Sequence, residues 1–324
     1  METGARSWEG PFGSLYLGGG SPSSLDAASI AAVFKILERF ILSPGAEVTI
    51  EANPQDATGE MIRLWRDLGV TRISLGVQSF DARGLKEALG RLHGASEAFA
   101  AAEAVSRSGA ELSLDLIYGW NGQSLADWER DLRLAVNLSP GHVSAYCLTP
   151  APGTRLAEML ASGEMPPLPD EGLLAEMFLA AGVILETAGI RRYEVSNFAR
   201  QGRECQHNLR YWRRTPYLGL GPSAHSFDLA TRRGNLASLS GWARALREGG
   251  SPLAFSEAIG PREARLETIM LGLRLSEGLE AGELATEPAL EEFVRDGYIF
   301  REGGRLVPTE KGMLHADYLA RRLA

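Results

Sequence analysis

For its first two-thirds the chain alternates short strand-like runs with longer helix-like ones, and that alternation limits the folds open to it. Strand signals lie at residues 14–17, 47–51, 71–75, 111–118, 142–148 and 190–195. Helical spacing fills residues 58–68, 95–108, 125–138 and 170–188. The first, second and fourth of these helices are each stopped by the glycine that follows, Gly69, Gly109 and Gly189. Strands joined through helices of this length build a parallel sheet with right-handed crossovers. That leaves a (β/α) barrel or an open doubly wound sheet. Polar residues close several of the strands: Glu51, Gln78, Asp115 and Glu194. A barrel gathers its ligand groups at that rim, whereas an open sheet concentrates them near one switch point, so the pattern favours the barrel.

The last third differs in character. Residues 165–169, Met-Pro-Pro-Leu-Pro, read as a rigid connector, and residues 200–215 as a polar, aromatic-bearing loop. From Pro261 the pattern predicts helices over 262–275, 279–285 and 288–296. A hairpin signal around Gly303-Gly304 and a terminal helix from Thr309 follow. This order is winged-helix-like. The expected division is a partial barrel over residues 1–225, a connecting segment over 226–260 and a smaller helical domain over 261–324.

The chain has 324 residues, 44% hydrophobic and 23% charged, enough for a large core. No apolar run approaches the roughly 20 residues that span a bilayer, so no stable membrane insertion is expected. The first residues carry no apolar core of a signal peptide, and a cytoplasmic location is expected. The net charge of −8 argues against nucleic acid as a partner. Lys311, Arg321 and Arg322 are the only support for a basic binding patch. Two cysteines, Cys147 and Cys205, suit a reducing compartment. They are fewer than the three or four thiolates that an iron–sulfur cluster usually takes.

Gly18-Gly19-Gly20, then Ser21-Pro22, directly follow a strand. One glycine would suffice for a tight turn, so three favour close approach of a ligand to bare backbone. Neither a P-loop lysine nor GxGxxG spacing accompanies them. Glu51 can accept from ribose hydroxyls or merely cap a local turn. Gln78 offers a donor and an acceptor to a mixed ligand, or to nearby loop backbone. Arg91 is a surface arginine or a two-pronged grip on a carboxylate. His93 reads more readily as a hydrogen-bonded structural residue than as a base. Asp115, inside Leu114-Asp115-Leu116-Ile117-Tyr118, should be buried and needs a partner, a structural one or, preferred here, a ligand. His207, beside Tyr211 and Trp212, could ligate haem iron or simply sit in an ordered loop.

Together these segments resemble one family. Gly18-Gly-Gly20-Ser-Pro22, Glu51-Ala-Asn-Pro54, Leu75-Gly-Val-Gln-Ser-Phe-Asp81, Gly90-Arg-Leu-His93, Asp115-Leu-Ile-Tyr-Gly119 and Ser196-Asn-Phe-Ala-Arg200 occur in order. They are similar to the radical S-adenosylmethionine (SAM) proteins related to oxygen-independent coproporphyrinogen III oxidase. His207-Asn-Leu-Arg-Tyr-Trp212 resembles the haem-chaperone branch, HemW. The resemblance implies an α/β fold: a partial (β/α) TIM-like barrel of parallel strands, its first strand missing, with a small helical C-terminal domain. It implies SAM and a 4Fe-4S cluster as cofactors, and haem or porphyrin as a partner. Gly18, Gly19, Gly20 and Ser21 would meet the methionyl amino group, Glu51 and Gln78 the ribose side, Arg91 the carboxylate and Asp115 the ribose. His207 would meet haem. Two departures stand out. The family's CxxxCxxC loop is absent, so an N-terminally shortened chain unable to hold the cluster is expected, and enzymatic activity is left open; a haem carrier without radical chemistry is the alternative. Trp120-Asn-Gly-Gln123 replaces the usual Leu-Pro-Gly-Gln.

Overall fold

The computed structural model describes Trp8 and residues 10–324, which form two compact units, Gly13–Cys205 and Gln206–Ala324, the latter joined by the described residues up to Phe12. The first unit runs β1 (Phe12–Leu17), α1 (Ala27–Leu37), β2 (Leu42–Ala52), α2 (Gly59–Asp67) and β3 (Arg72–Gln78). A π-helical turn (Gly84–Ala88) precedes α3 (Ala95–Ser108), β4 (Glu111–Tyr118), α4 (Leu125–Asn137) and β5 (His142–Cys147). It ends with α5 (Arg155–Ser162), α6 (Glu171–Thr187), β6 (Arg191–Glu194) and β7 (Asn197–Ala199). Most of these helices start at side-chain caps: Thr58 accepts from the Met61 amide, Asp170 from Leu173, and Ser124 with Asp127 forms a reciprocal pair.

The seven strands lie in the order β1-β2-β3-β4-β5-β7-β6. Pairing from β2 to β5 is parallel, with Glu51 beside Ser74, Ser74 beside Ser113 and Asp115 beside Ser144. β7 departs from the all-parallel expectation. It pairs antiparallel with both β5 and β6. The link from β6 to β7 is Val195-Ser196, far too short for a crossover, so a hairpin is the only solution.

Alternation along each strand decides the shape. Ile50, Ile73, Leu75, Leu112, Leu114 and Val143 point to one side and are buried. They pack under α2, α3 and α4, whose Trp65, Ala102, Val105, Trp128 and Leu132 are also buried. The other side carries Thr49, Glu51, Arg72, Ser74, Ser113, Asp115, His142 and Ser144. Parallel sheets are usually apolar on both faces. Here only the convex, helix-covered side is, and the curled half-barrel keeps a polar concave face.

The second unit holds α7 (Gln206–Trp212), β8 (His225–Phe227), β9 (Thr231–Asn235), α8 (Leu239–Arg247) and β10 (Leu253–Ala258). Then come α9 (Pro261–Gly272), β11 (Leu279–Glu280), a 3-10 turn (Gly282–Thr286) and α10 (Pro288–Arg295). β12 (Ile299–Glu302), β13 (Arg305–Pro308), α11 (Glu310–Leu314) and α12 (Ala316–Leu323) complete it. Its strands form two antiparallel sheets, β10-β9-β8 and β11-β13-β12. Leu273, Leu290, Phe293, Leu306 and Leu319 centre the C-terminal core. Three stretches differ from expectation. The loop at 200–215 contains α7. The segment at 226–260 contains a sheet and α8, and β8 spans residues 225 and 226. The short helix at 279–285 is a two-residue strand and a 3-10 turn, because Leu279 pairs with Leu306 of β13. A strand that short has no period to read.

No helix among the described residues is long and apolar enough to cross a membrane. Lys311, Arg321 and Arg322, the cations of the basic patch, are engaged within the chain. Lys311 donates to the Asp296 carbonyl, Arg321 to the Asp317 carbonyl, and Arg322 pairs with Glu292.

Candidate functional site

At the carboxyl end of β1 the backbone lies bare. A Cβ on Gly18 would sit 2.6 Å from both the Glu51 carboxyl carbon and the Tyr16 ring, whereas Gly19 and Gly20 face open space. Gly19 has φ of +79°, a conformation that favours glycine. Its amide donates to Glu51 Oε2 at 3.2 Å, and the Tyr16 hydroxyl donates to Glu51 Oε1 at 2.7 Å. Burial and the nearby carboxylates Glu51 and Asp115 hold the Tyr16 phenol far above its ordinary range, so it remains a donor. Ser21 leads into the turn at Pro22–Ser24, and its carbonyl accepts from the Ser24 amide at 2.9 Å and hydroxyl at 2.7 Å.

Glu51 is adjacent in register to Ser74, and Ser74 reaches Asp115 Oδ1 at 3.1 Å and Oδ2 at 3.0 Å. Ser144 donates to Asp115 Oδ1 at 2.6 Å. Desolvation pushes the Asp115 pKa up to about 6, against the pull of the Ser144 and Ser74 hydroxyls and with a push from Glu51. Asp115 is half-buried, and the partners it has within the chain are two serine hydroxyls, neither the cation nor the amide of the structural alternative and not the ligand preferred from sequence. The row of polar groups continues away from the mouth. Ser74 meets Ser113 at 3.0 Å, Ser113 meets His142 Nδ1 at 2.8 Å, and His142 Nε2 meets the Tyr193 hydroxyl at 2.9 Å. Burial and the Arg72 cation push the His142 pKa well down, so the ring is neutral. One arrangement of protons then serves every contact: Tyr193 donates to His142, His142 to Ser113, Ser113 to Ser74 and Ser74 to Asp115.

Gln78 ends β3 and is nearly buried. Arg91 lies beyond the π-helical turn; its Nε is buried and meets no partner among the described residues. Burial alone lowers the pKa of that guanidinium, the signature of a cation without a counter-charge. Glu51 is thus linked to Gly18 and Gly19 directly and to Asp115 through the neighbouring Ser74, with Asp115 three residues inside the end of β4; Gln78 closes β3. Glu194 is elsewhere in role: fully buried, it accepts from the Ser196 amide at 3.0 Å and from the Asn197 side chain, tying the β6–β7 hairpin. Trp120 does not disturb Asp115. It is fully buried against Gly84, where a Cβ would come within 2.7 Å of the indole.

Tyr16, Ser74, Ser113, Ser144, His142 and Tyr193 were not singled out by sequence reasoning. A signal existed: in Glu47-Val-Thr-Ile-Glu51, Arg72-Ile-Ser74, Glu111-Leu-Ser-Leu-Asp115 and His142-Val-Ser144, every second residue is polar.

In the second unit, His207 lies on α7, half-buried, with its ring edge-on to Tyr211 at 4.9 Å, the i,i+4 neighbour. Tyr211 meets Tyr217 edge-on at 4.6 Å, and Tyr217 meets Phe227 at 5.9 Å. His207 thus starts an aromatic row, with Tyr211 partly exposed.

Cys147 is half-buried at the end of β5; Cys205 is buried, with its thiol 3.4 Å from Glu47 Oε1. Among the described residues no three Cys, His, Asp or Glu side chains are grouped to hold a metal. This donor set does not fit an iron–sulfur cluster. The open backbone at Gly19 and Gly20 and the unpartnered Arg91 Nε do suit an amino-acid-bearing ligand.

Sequence comparison agrees with this architecture. The radical SAM superfamily model matches residues 4–135, and that of the HemN C-terminal domain residues 259–315. The "heme chaperone HemW" of Mycobacterium tuberculosis is 38% identical over 313 residues, covering 95% of this chain and 80% of the relative. That of Bacillus subtilis is 30% identical over 328 residues, covering 97% and 86%. Among solved structures, coproporphyrinogen III oxidase (HemN) from Escherichia coli superposes with a TM-score of 0.81 at 21% identity, covering 96% of this chain and 77% of that one, which establishes the shared fold. By this relatedness over nearly its full length, the chain belongs to the HemN/HemW family of radical SAM proteins.

Proposed function

We propose that this chain is a HemW-like haem-handling protein that takes SAM at the carboxyl ends of β1 to β4 and haem at His207. One observation carries the first half: a continuous strip of Gly19, Glu51, Ser74 and Asp115 runs from the open backbone after β1 into the middle of β4. On this reading the backbone of Gly18, Gly19, Gly20 and Ser21 receives the methionyl ammonium. Glu51 and Gln78 hold the ribose side, Asp115 accepts from a ribose hydroxyl, and Arg91 grips the carboxylate with its unpartnered face. When bound, SAM supplies an adenosyl group on a sulfonium. Because the thiols do not fit a cluster, no radical step is assigned to these residues.

Gly18→Ala tests the mouth. The new methyl must displace both the Glu51 carboxyl, a flexible side-chain end, and the edge of the Tyr16 ring, a local shift that should leave the fold in place. Calorimetric titration should show SAM affinity lowered about tenfold or more, with the circular dichroism spectrum unchanged. An affinity equal to wild type would remove Gly18 from the site.

A second reading, a haem carrier, is supported by the aromatic row beside His207. His207 as neutral imidazole suits haem iron, and the aromatic row beside it suits a flat macrocycle. Haem added to wild type should give a sharpened, shifted Soret band that His207→Ala loses. Identical spectra would count against His207.

A further inference from the structure

Gln78 holds a backbone conformation that its residue type rarely adopts. Its φ is +67°, and across it the Ser79 amide donates to the Val77 carbonyl at 2.8 Å. This is a three-residue γ-turn of the rare, positive-φ kind. The strand bulges just before it: Leu75 pairs with Leu114 but Gln78 with Leu116, one extra residue on β3. Gly76 makes room, since a Cβ there would lie 2.7 Å from Gln78 Nε2. The amide side chain therefore folds back over its own strand.

Strain of this kind persists only where the surroundings over-determine it. Two buried side chains do so here. His93 Nε2 lies 3.1 Å from the same Val77 carbonyl. A carbonyl only accepts, so that nitrogen carries the proton. Asp131 on α4 is fully buried; it accepts from the Ser79 hydroxyl at 2.5 Å and the Phe80 amide at 3.1 Å. Between these anchors, Asp81 accepts from the amides of Arg83 at 2.9 Å and Gly84 at 3.0 Å, which starts the π-helical turn. The chain then returns, with the Arg91 amide donating to the Leu85 carbonyl at 2.7 Å. Segment 77–93 is thus closed on one carbonyl, which receives both Ser79 and His93. Arg91 stands two residues from that closure, and Leu92 between them is 94% exposed.

We propose that His93 and Asp131 are positioning residues: they lock the loop 77–93 so that Gln78 and Arg91 are set for the ligand before it arrives. The inference rests on the reading that this mouth binds SAM through those two side chains. A locked loop spares the ordering that binding would otherwise demand.

The test uses the full chain and two readouts. In ligand-free protein, His93→Leu should speed hydrogen exchange at the Ser79 and Arg91 amides about tenfold or more, with α6 amides as the control for global loosening. In calorimetry, the same variant should bind SAM about tenfold more weakly. His93→Gln, whose side-chain amide can still donate to Val77, should restore both to within about threefold. Unchanged exchange in His93→Leu overturns the lock. Faster exchange with wild-type SAM affinity, in a protein where Arg91→Ala has lost binding, overturns the positioning role. If wild type and Arg91→Ala take SAM alike, or neither takes it, the reading of the mouth fails instead, and exchange alone decides the lock.

Discussion

Asp115→Asn is expected to stabilise the half-barrel while weakening SAM binding. Desolvation raises the Asp115 pKa from its ordinary 3.8 to about 6. Between those values the folded state holds more protons than the unfolded one. The stability linked to this group is complete below about pH 4, falls as pH rises, and is lost above about pH 6. At pH 7 the ionised carboxylate is therefore a burden. A tenfold change in a proton's affinity corresponds to about 1.4 kcal/mol, and the relief in the variant should be about 1–3 kcal/mol. Asparagine keeps an oxygen for Ser74 and Ser144, so the serines stay engaged. Denaturant unfolding at pH 5 and pH 7 checks this: the variant should gain more at pH 7. Asp131, also pushed to about 6 by burial, should supply the pH dependence that remains. A variant less stable than wild type at both values would mean that the ionised form is the favoured one. SAM affinity should drop about tenfold, because a ribose hydroxyl loses its charged acceptor.

Gly278→Ala should unfold the C-terminal module. Gly278 has φ of +64°, and a Cβ would fall 2.0 Å from the Leu306 carbonyl oxygen and 2.8 Å from the Val307 Cα. Both are backbone of β13, which is bound on its other side by β12. Neither yields as a side chain would. The strand must shift, and Leu306 in the module's core moves with it. The cost should exceed about 4 kcal/mol, at the severe end of single substitutions. Thermal unfolding followed by near-ultraviolet circular dichroism should show the loss; a melting curve matching wild type would show that β13 accommodates the methyl.

The parallel part of the fold was legible because its helices and strands are long enough to display a period. α3 and β4 match their expected limits, Ala95–Ser108 and Glu111–Tyr118. β7, β8 and β11 were missed for the opposite reason, being three residues or fewer. The candidate site was half legible. Glu51 and Asp115 stand out as carboxylates between apolar neighbours, Ile50 and Ala52 for one, Leu114 and Leu116 for the other. Ser74, Ser144 and His142 are polar residues in strands where an observer expects apolar ones, and only the two-residue alternation betrays which face they share. Gln78 shows the other limit. Nothing local announces a positive φ at a glutamine, because the cause lies in His93 and in Asp131, the latter far along the chain on α4.

The one-sided core has an evolutionary consequence. The half-barrel keeps its apolar core on its helix-covered side, while the hollow side buries a hydrogen-bonded polar row that includes Ser74, Ser113, His142 and Ser144. An exchange there is tolerated only where every buried donor and acceptor keeps a partner, since each one orphaned costs about 1–3 kcal/mol. A scaffold of this kind can acquire new ligands by rewriting its inner lining while its outer layer stays as it is.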